Sequence, residues 1–361
     1  MTNKNYSIAM IGAGQIVKWG HIPNFQNVEN TSIEAICDLN EARASEIAAE
    51  TGIPNVFTDY EKMLNEIKPD ITVIATPNVL HKPMAIAALN VGSNVLCEKP
   101  LALSYADAKE MMDLAASKGL TVNVGSHYRW SDAIRAAKEQ ADAGFYGDIY
   151  AARSIWHRRS GIPGFGSWFT RKDLAGGGSL LDIGIHALDR ALYIMDYPTP
   201  VTVSGVTFSR LGTQGLGLGG WGSDINKPTD SANQFDVDDL SWALIRFENG
   251  SALQLQVSWA VNNETQFVTE IYGDKGGAMV GDQDQVKLFT RLNGQESDIE
   301  VNVARSGVSS YQHLTNNFVR YLDGDSTAEV ITPEQSLTSV KIIEGVFRSA
   351  AEGREIRMDE L

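Results

Sequence analysis

The sequence predicts two domains of different class. A doubly wound α/β domain with a parallel sheet occupies residues 1–125, and an α+β domain with a large, mostly antiparallel sheet occupies 126–361. Three observations carry this reading. Short apolar runs alternate with helical patterns as far as residue 125. Beyond it, strands cluster with period-two alternation and few helices. The chain, at 361 residues, is long enough for two domains that share a substantial buried core.

Strand-like runs in the first part are YSIAMIG (6–12), SIEAICD (32–38), DITVIAT (70–76), NVLCEK (94–99) and LTVNVGS (120–126). Helix-like segments such as LNEARASEIAAETG and YADAKEMMDLAASKG lie between them. The latter starts from Ser104 with Asp107 three residues on, a capping box, and Gly119 closes it. Strands that alternate with helices form βαβ units and hence a parallel sheet.

The second part follows a different pattern. In SALQLQVSW, Leu253, Leu255, Val257 and Trp259 share one face, while Gln254, Gln256 and Ser258 take the other. YAARSIWHR, VTVSGVTFS, LSWALIRF, FVTEIYG and QVKLFTR are further strands, and helices are expected near 179–196, 308–323 and 333–352. The glycine-rich stretch 210–238 is either a functional loop or a surface excursion.

Composition excludes several classes. A formal net charge of -15 leaves no basic footprint for nucleic acid or an anionic membrane. Two cysteines, Cys37 and Cys97, make no disulfide framework. No apolar run approaches the ~18 residues of a membrane span. The N-terminus runs straight into a strand without a signal-peptide core, so a cytoplasmic location is expected. The six histidines are dispersed and there is no HExxH, so no metal site is expected.

Two constellations carry chemistry. In IGAGQI, Gly12 permits a tight turn and Gly14 lets backbone approach a pyrophosphate at a helix N-terminus, with Gln15 and Ile16 following in the same loop. Val17 stands where G-x-G-x-x-G places a third glycine. Asp38 ends the second strand, where a carboxylate accepts the ribose hydroxyls of NAD and repels a 2′-phosphate. Arg43 nearby keeps NADP as the alternative. Thr76, Pro77 and Asn78 end the fourth strand, at the edge where open α/β sheets bind ligands. Asn78 and His81 are cofactor candidates there, against a helix cap and a surface histidine. Glu98 and Lys99 end the fifth strand, and Pro100 holds Lys99 extended. An ammonium at the mouth of a buried strand near a nicotinamide cation is destabilised, which suits a proton donor or acceptor.

The second constellation is GGGSLLDIGIHALDRALYIM, an almost wholly apolar and therefore buried helix. Asp182, His186, Asp189 and Arg190 form one polar stripe on it. Ser179 is its expected N-cap, and Gly184 in its interior implies a close approach of backbone or ligand. His186 titrates in the range a base for a carbinol needs, with Asp182 one turn away to orient it. The alternative is a satisfied core histidine. Tyr128, Arg129, His157, Arg158 and Asp189 are candidate substrate contacts.

IGAGQI, ATPNVLH, CEKP and GGGSLLDIGIH, in this order, resemble the glucose-fructose oxidoreductase / inositol dehydrogenase / MocA family, and the resemblance spans the chain. It implies a Rossmann domain followed by an α+β domain whose open sheet packs in homo-oligomers, dimers or tetramers. It implies NAD(H) or NADP(H), and a sugar, cyclitol or related polyol as substrate. It implies Lys99, Asp182 and His186 as the catalytic set, His186 accepting the proton, and a cis Lys99–Pro100 bond. SWFTRKDLAGGG resembles a cofactor-touching segment, which adds Trp168 and Arg171. The expected activity is reversible oxidation of a secondary alcohol. The rivals are a redox-neutral epimerase or oxidation–elimination glycosidase, and a non-catalytic NAD-binding regulator.

Overall fold

The computed structural model describes residues 4–219, 235–282 and 285–361. The chain divides into two compact units: residues up to His127 with Ser309–Leu337, and Tyr128–Val308 with Thr338–Leu361.

In the first unit, β1 (Tyr6–Ile11), β2 (Thr31–Cys37), β3 (Asn55–Phe57), β4 (Ile71–Ile74), β5 (Asn94–Cys97) and β6 (Val122–Val124) form a sheet in the order β3-β2-β1-β4-β5-β6. Every pairing is parallel. The β4 strand is buried throughout, and β5 from Val95 onward. Strands covered on both faces need no alternation, which is why they read as continuous apolar runs. Chain order reverses between β1 and β4, so a ligand crevice opens at their carboxyl ends. The helices α1 (Ile22–Gln26), α2 (Glu41–Thr51), α3 (Tyr60–Ile67), α4 (His81–Asn90) and α5 (Tyr105–Ser117) connect the strands. The α5 helix starts where expected, with Ser104 Oγ accepting from the Asp107 N–H, and Gly119 follows its end at φ +65°.

The second unit begins with α6 (Asp132–Asp142). It then forms a nine-stranded sheet from β7 (Ile149–His157), β8 (Pro200–Phe208), β9 (Leu240–Phe247), β10 (Ala252–Ser258), β11 (Gln266–Gly273), β12 (Gly276–Val280), β13 (Val286–Leu292), β14 (Gln295–Val301) and β15 (Ile356–Arg357). The order is β14-β13-β12-β11-β7-β10-β9-β8-β15. Among the described residues, β7–β10 is its parallel pair; the others run antiparallel. Between β7 and β8 come α7 (Lys172–Ala175), a π-helical turn at Leu180–Gly184 and α8 (Ile185–Ile194). The α8 helix lies on one face of the sheet, where Ser154 Oγ donates to the Ala187 carbonyl at 2.8 Å. A Cβ on Gly184 would meet Val257 of β10 at 3.1 Å, the close approach expected of that glycine. The opposite face exposes Val206, Trp242, Tyr272 and Met279. Of the glycine-rich stretch, residues 220–234 lie outside the described residues; Gly212–Gln214 is a 3-10 turn.

The units differ from a single cut after residue 125. Helix α9 (Ser310–Leu322), with the start of α10 (Pro333–Glu352), belongs with the parallel sheet. Polar contacts hold it there: Gln312 Nε2 donates to the Asn24 carbonyl at 3.0 Å, and Asn123 Oδ1 accepts from the Ile331 N–H at 3.3 Å. No helix among the described residues is long and apolar enough to cross a membrane.

Candidate functional site

In the first unit the candidate residues gather at the carboxyl ends of the strands. Gly12 has φ +107°, and a Cβ there would sit 2.3 Å from the Ala75 carbonyl oxygen, so only glycine fits. Above Gly14 the space is open: a Cβ at that position would meet no heavy atom within 4 Å. Gln15 is exposed and Ile16 half-buried. Val17, at the third-glycine position, is fully buried at the start of a π-helical turn spanning Val17–His21. Asp38 Oδ2 accepts the Ala13 N–H at 2.7 Å and Oδ1 accepts the Asn40 N–H at 2.8 Å, which ties the carboxylate to the glycine turn. Arg43 Nε donates to the Ala13 carbonyl. Asn40, rather than Asp38, caps α2. A glycine turn with free space above it, beside an oriented carboxylate, fits a dinucleotide.

Thr76 and Pro77 end β4, and Asn78 is buried in the 3-10 turn that follows. His81 is neither a surface residue nor open to a ligand. Its ring is fully buried, with Nδ1 2.7 Å from the Pro100 carbonyl and Nε2 3.0 Å from the Thr76 carbonyl. Burial lowers its pKa, so the neutral ring donates to one of the two, strapping the β4 loop to the β5 loop.

Glu98 is 6% exposed. Its Oε1 accepts from His21 Nε2 at 2.9 Å and from Tyr311 Oη at 3.2 Å; Oε2 accepts the Lys99 N–H at 3.2 Å. Burial alone would raise its pKa, but the His21 hydrogen bond and the neighbouring cations outweigh it and hold the carboxyl at about 2. Lys99 is half-buried, and the Lys99–Pro100 bond is cis as the resemblance implied. His21 and Tyr311 carry no motif and stand far from Glu98 in sequence, so nothing local marked them.

In the second unit Asp182 and His186 lie on the π turn and the first turn of α8, both buried. Asp182 Oδ2 accepts from Trp259 Nε1 at 2.9 Å. The His186 ring meets Tyr128 edge-on at 4.7 Å, and Tyr128 in turn meets Trp156, which stacks on Phe267 at 3.9 Å. Arg158 lies over Trp156 at 4.9 Å.

Ser179 is not the cap expected of it. Its backbone is already helical and its side chain caps nothing. Asp238 anchors this end instead, accepting from the Gly178 N–H (2.7 Å), Ser179 Oγ (2.8 Å) and the Leu180 N–H (2.8 Å). The polar stripe also divides. Asp189 turns away to a bidentate pair with Arg129, joined by Tyr197 Oη, and both charged residues are almost wholly buried. That closed network explains Arg129 and Asp189 as internal partners, not substrate contacts. Arg190 lies over Phe267 at 3.9 Å, and burial lowers its pKa to about 10. His157 follows Trp156 along β7, so its side chain points to the sheet's other face, away from His186. Trp168 stacks on Phe169 at 3.8 Å, and Arg171 pairs with Asp173 at 2.7 Å. Among the described residues no group of three or more His, Cys, Asp or Glu side chains could hold a metal.

A parallel sheet with a glycine turn and a strand-end carboxylate, in one chain with an antiparallel sheet carrying a buried Asp/His helix, defines a class of dinucleotide-dependent oxidoreductases. The chain belongs to the Gfo/Idh/MocA family. Residues 6–126 match the oxidoreductase family with NAD-binding Rossmann fold, and residues 134–279 match the GFO/IDH/MocA C-terminal domain. It is similar to D-glucoside 3-dehydrogenase of Escherichia coli (strain K12), with 31% identity over 99% of each chain. It is also similar to levoglucosan dehydrogenase of Pseudarthrobacter phenanthrenivorans, with 29% identity over 73% of this chain and 69% of that one. The structure of levoglucosan dehydrogenase with NADH and levoglucosan shares the fold at a TM-score of 0.82, with 22% identity over 98% of this chain and 100% of that one. The protein is therefore an oxidoreductase, and NAD is its cofactor.

Proposed function

We propose that the protein catalyses reversible oxidation of a secondary alcohol on a sugar or related polyol. The observation that carries this reading is the buried pair at the head of α8: Asp182 on the π turn, anchored by Trp259, and His186 on the helix, packed on Tyr128. An alcohol that gives up a hydride must also lose its hydroxyl proton. His186 is the acceptor for that proton. Asp182, fixed by the indole, orients the imidazole or a substrate hydroxyl, and Lys99 is the second proton-handling group. Gly12, Gly14 and Asp38 hold the dinucleotide, with Thr76 to Asn78 and Glu98 at the neighbouring strand ends. Bound nicotinamide supplies hydride acceptance and return. Asp38 favours NAD over NADP, because a fixed carboxylate repels a 2′-phosphate. Tyr128 and Arg158 are the substrate contacts in this reading, and Trp168 and Arg171 further cofactor contacts. The sugar class is supported by the relatives, which are named as glucoside, levoglucosan and 1,5-anhydro-D-fructose enzymes.

The test is a panel of glycosides, free sugars and cyclitols assayed with NAD for NADH formation. At least one should give sustained NADH release, and His186→Ala should lower kcat by about 10²- to 10⁴-fold. Product without NADH release would point to the redox-neutral rival; full activity in the variant would remove His186 from the reaction.

The apolar outer face of the nine-stranded sheet, with Val206, Trp242, Tyr272 and Met279, is proposed as the contact between copies of the chain. Light scattering should give a dimer or tetramer, and Trp242→Glu should shift it toward monomer.

A further inference from the structure

The carboxylate of Glu98 is enclosed on four sides within the first unit. His21, on the helix that follows the glycine turn, donates from Nε2. Tyr311, 213 residues further along the chain, donates from Oη. The Lys99 N–H closes the third side. Gly125, just past β6, closes the fourth, because a Cβ there would lie 2.9 Å from the carboxyl group. The donors are themselves fixed. His21 is fully buried and meets the Tyr311 ring edge-on at 5.5 Å, and Tyr311 stacks on His127 at 3.9 Å. Two aromatic donors from distant segments therefore converge on one oxygen of one buried acid.

Sheet topology says what this acid faces. In the order β3-β2-β1-β4-β5-β6, strands β2 and β5 hold equivalent places in the two halves of the sheet. A doubly wound sheet binds one mononucleotide portion over each half. Asp38 directly follows β2 and Glu98 directly follows β5. Each half thus ends in an oriented carboxylate. Asp38 is held by backbone N–H groups, whereas Glu98 is held largely by side chains, so its setting can be altered by substitution.

We propose that His21 and Tyr311 are positioning residues that hold Glu98 as a fixed anion on the nicotinamide half of the site, and that this makes the protein bind NAD⁺ more tightly than NADH. The inference rests on the NAD reading of the first unit. The oxidised nicotinamide ring carries a positive charge that the reduced ring lacks. An anion fixed in a water-poor setting attracts the first and is indifferent to the second. Removing one donor frees the carboxylate to turn or to relax toward water, and the discrimination between the two forms falls.

The experiment measures the dissociation constants of NAD⁺ and NADH separately by calorimetry on the full chain, without substrate. Tyr311→Phe keeps the ring stacked on His127 and removes only the hydroxyl. His21→Leu removes the other donor, and His21→Gln restores one. Glu98→Gln removes the charge with little change of shape. The expected result is a preference for NAD⁺ in the unmodified protein. Glu98→Gln should abolish it, and Tyr311→Phe or His21→Leu should each reduce it by about tenfold, the scale of a lost hydrogen bond to a charged group. His21→Gln should recover part of it. Variants that weaken both forms equally, or leave the ratio unchanged, would overturn the proposal while the NAD reading stands. Failure of the unmodified protein to bind either form would remove both. Thermal melting of each variant identifies any that fail to fold; the remaining substitutions still decide the ratio.

Discussion

The indole N–H of Trp259 donates to Asp182 Oδ2 at 2.9 Å, joining the residue just past β10 to the π turn at the head of α8. Both groups are buried, so this bond sets the direction of a carboxylate that is largely removed from solvent.

Trp259→Phe keeps the apolar bulk and deletes the donor. A lost hydrogen bond to a buried charged group costs about 1.5–3 kcal/mol. The expected outcome is a fall in kcat/KM of about 10- to 100-fold, with NAD binding unchanged. Steady-state kinetics beside NAD titration would check it; a loss confined to thermal stability would make the bond structural.

Arg129 and Asp189 should behave as a structural pair. Arg129→Met leaves a buried carboxylate without its cation and should destabilise the protein by about 3–5 kcal/mol. The double replacement Arg129→Met with Asp189→Leu should restore much of that, because no uncompensated charge remains. Urea unfolding of the two variants reads the difference. A selective rise in substrate KM at unchanged stability would instead return Arg129 to the substrate site.

Acid stability carries a signature of His127. Burial lowers its pKa to about 4. Between that value and the ordinary imidazole value near ~6.5 the unfolded chain binds a proton that the folded chain refuses. Stability from this group is therefore complete above that window and is lost as pH falls through it. Glu98, held at about 2, adds a second loss that begins as pH falls through the ordinary carboxylate value near ~4.3 and runs down to about 2. Urea midpoints measured across pH 4 to 7 should fall on acidification, and His127→Phe, which retains an aromatic ring against Tyr311, should flatten the upper part of that fall.

Gly14 separates ligand contact from folding. An alanine Cβ there has open space, unlike one at Gly12, which meets the Ala75 carbonyl. Gly14→Ala should melt as the unmodified protein does yet bind NAD more weakly by over about tenfold, or ~1.4 kcal/mol. Unchanged affinity would mean that the pyrophosphate does not pass over this residue.

The parts of this molecule that are readable in sequence are those whose cause is local. Buried parallel strands such as β4 and β5 are mostly apolar, and α5 announces its start at Ser104. The β3 strand has three residues at a sheet edge, and β14 is largely polar because both its faces are open, so neither leaves a pattern. Two helical segments open with π turns, which no 3.6-residue period marks. The candidate residues divide in the same way. Asp38, Glu98, Lys99, Asp182 and His186 sit at strand ends or on a buried helix face, where their type alone draws notice. Arg129 and Asp189 drew it for the same reason, yet they satisfy each other, and that pairing spans 60 residues. His21, Tyr311 and Asp238 act through partners distant in sequence and look ordinary in place.

The return of Ser309–Leu337 to the parallel-sheet unit bears on biosynthesis. A ribosome making this chain releases all six strands of that sheet long before Tyr311 leaves the exit tunnel. At roughly 5–20 residues per second the delay is on the order of ten seconds or more. During that interval Glu98 is without one of its donors. A gene fragment ending at residue 127 would encode the strands and the glycine turn yet leave the acid without the Tyr311 hydroxyl, so a cut at the apparent boundary divides the setting of Glu98.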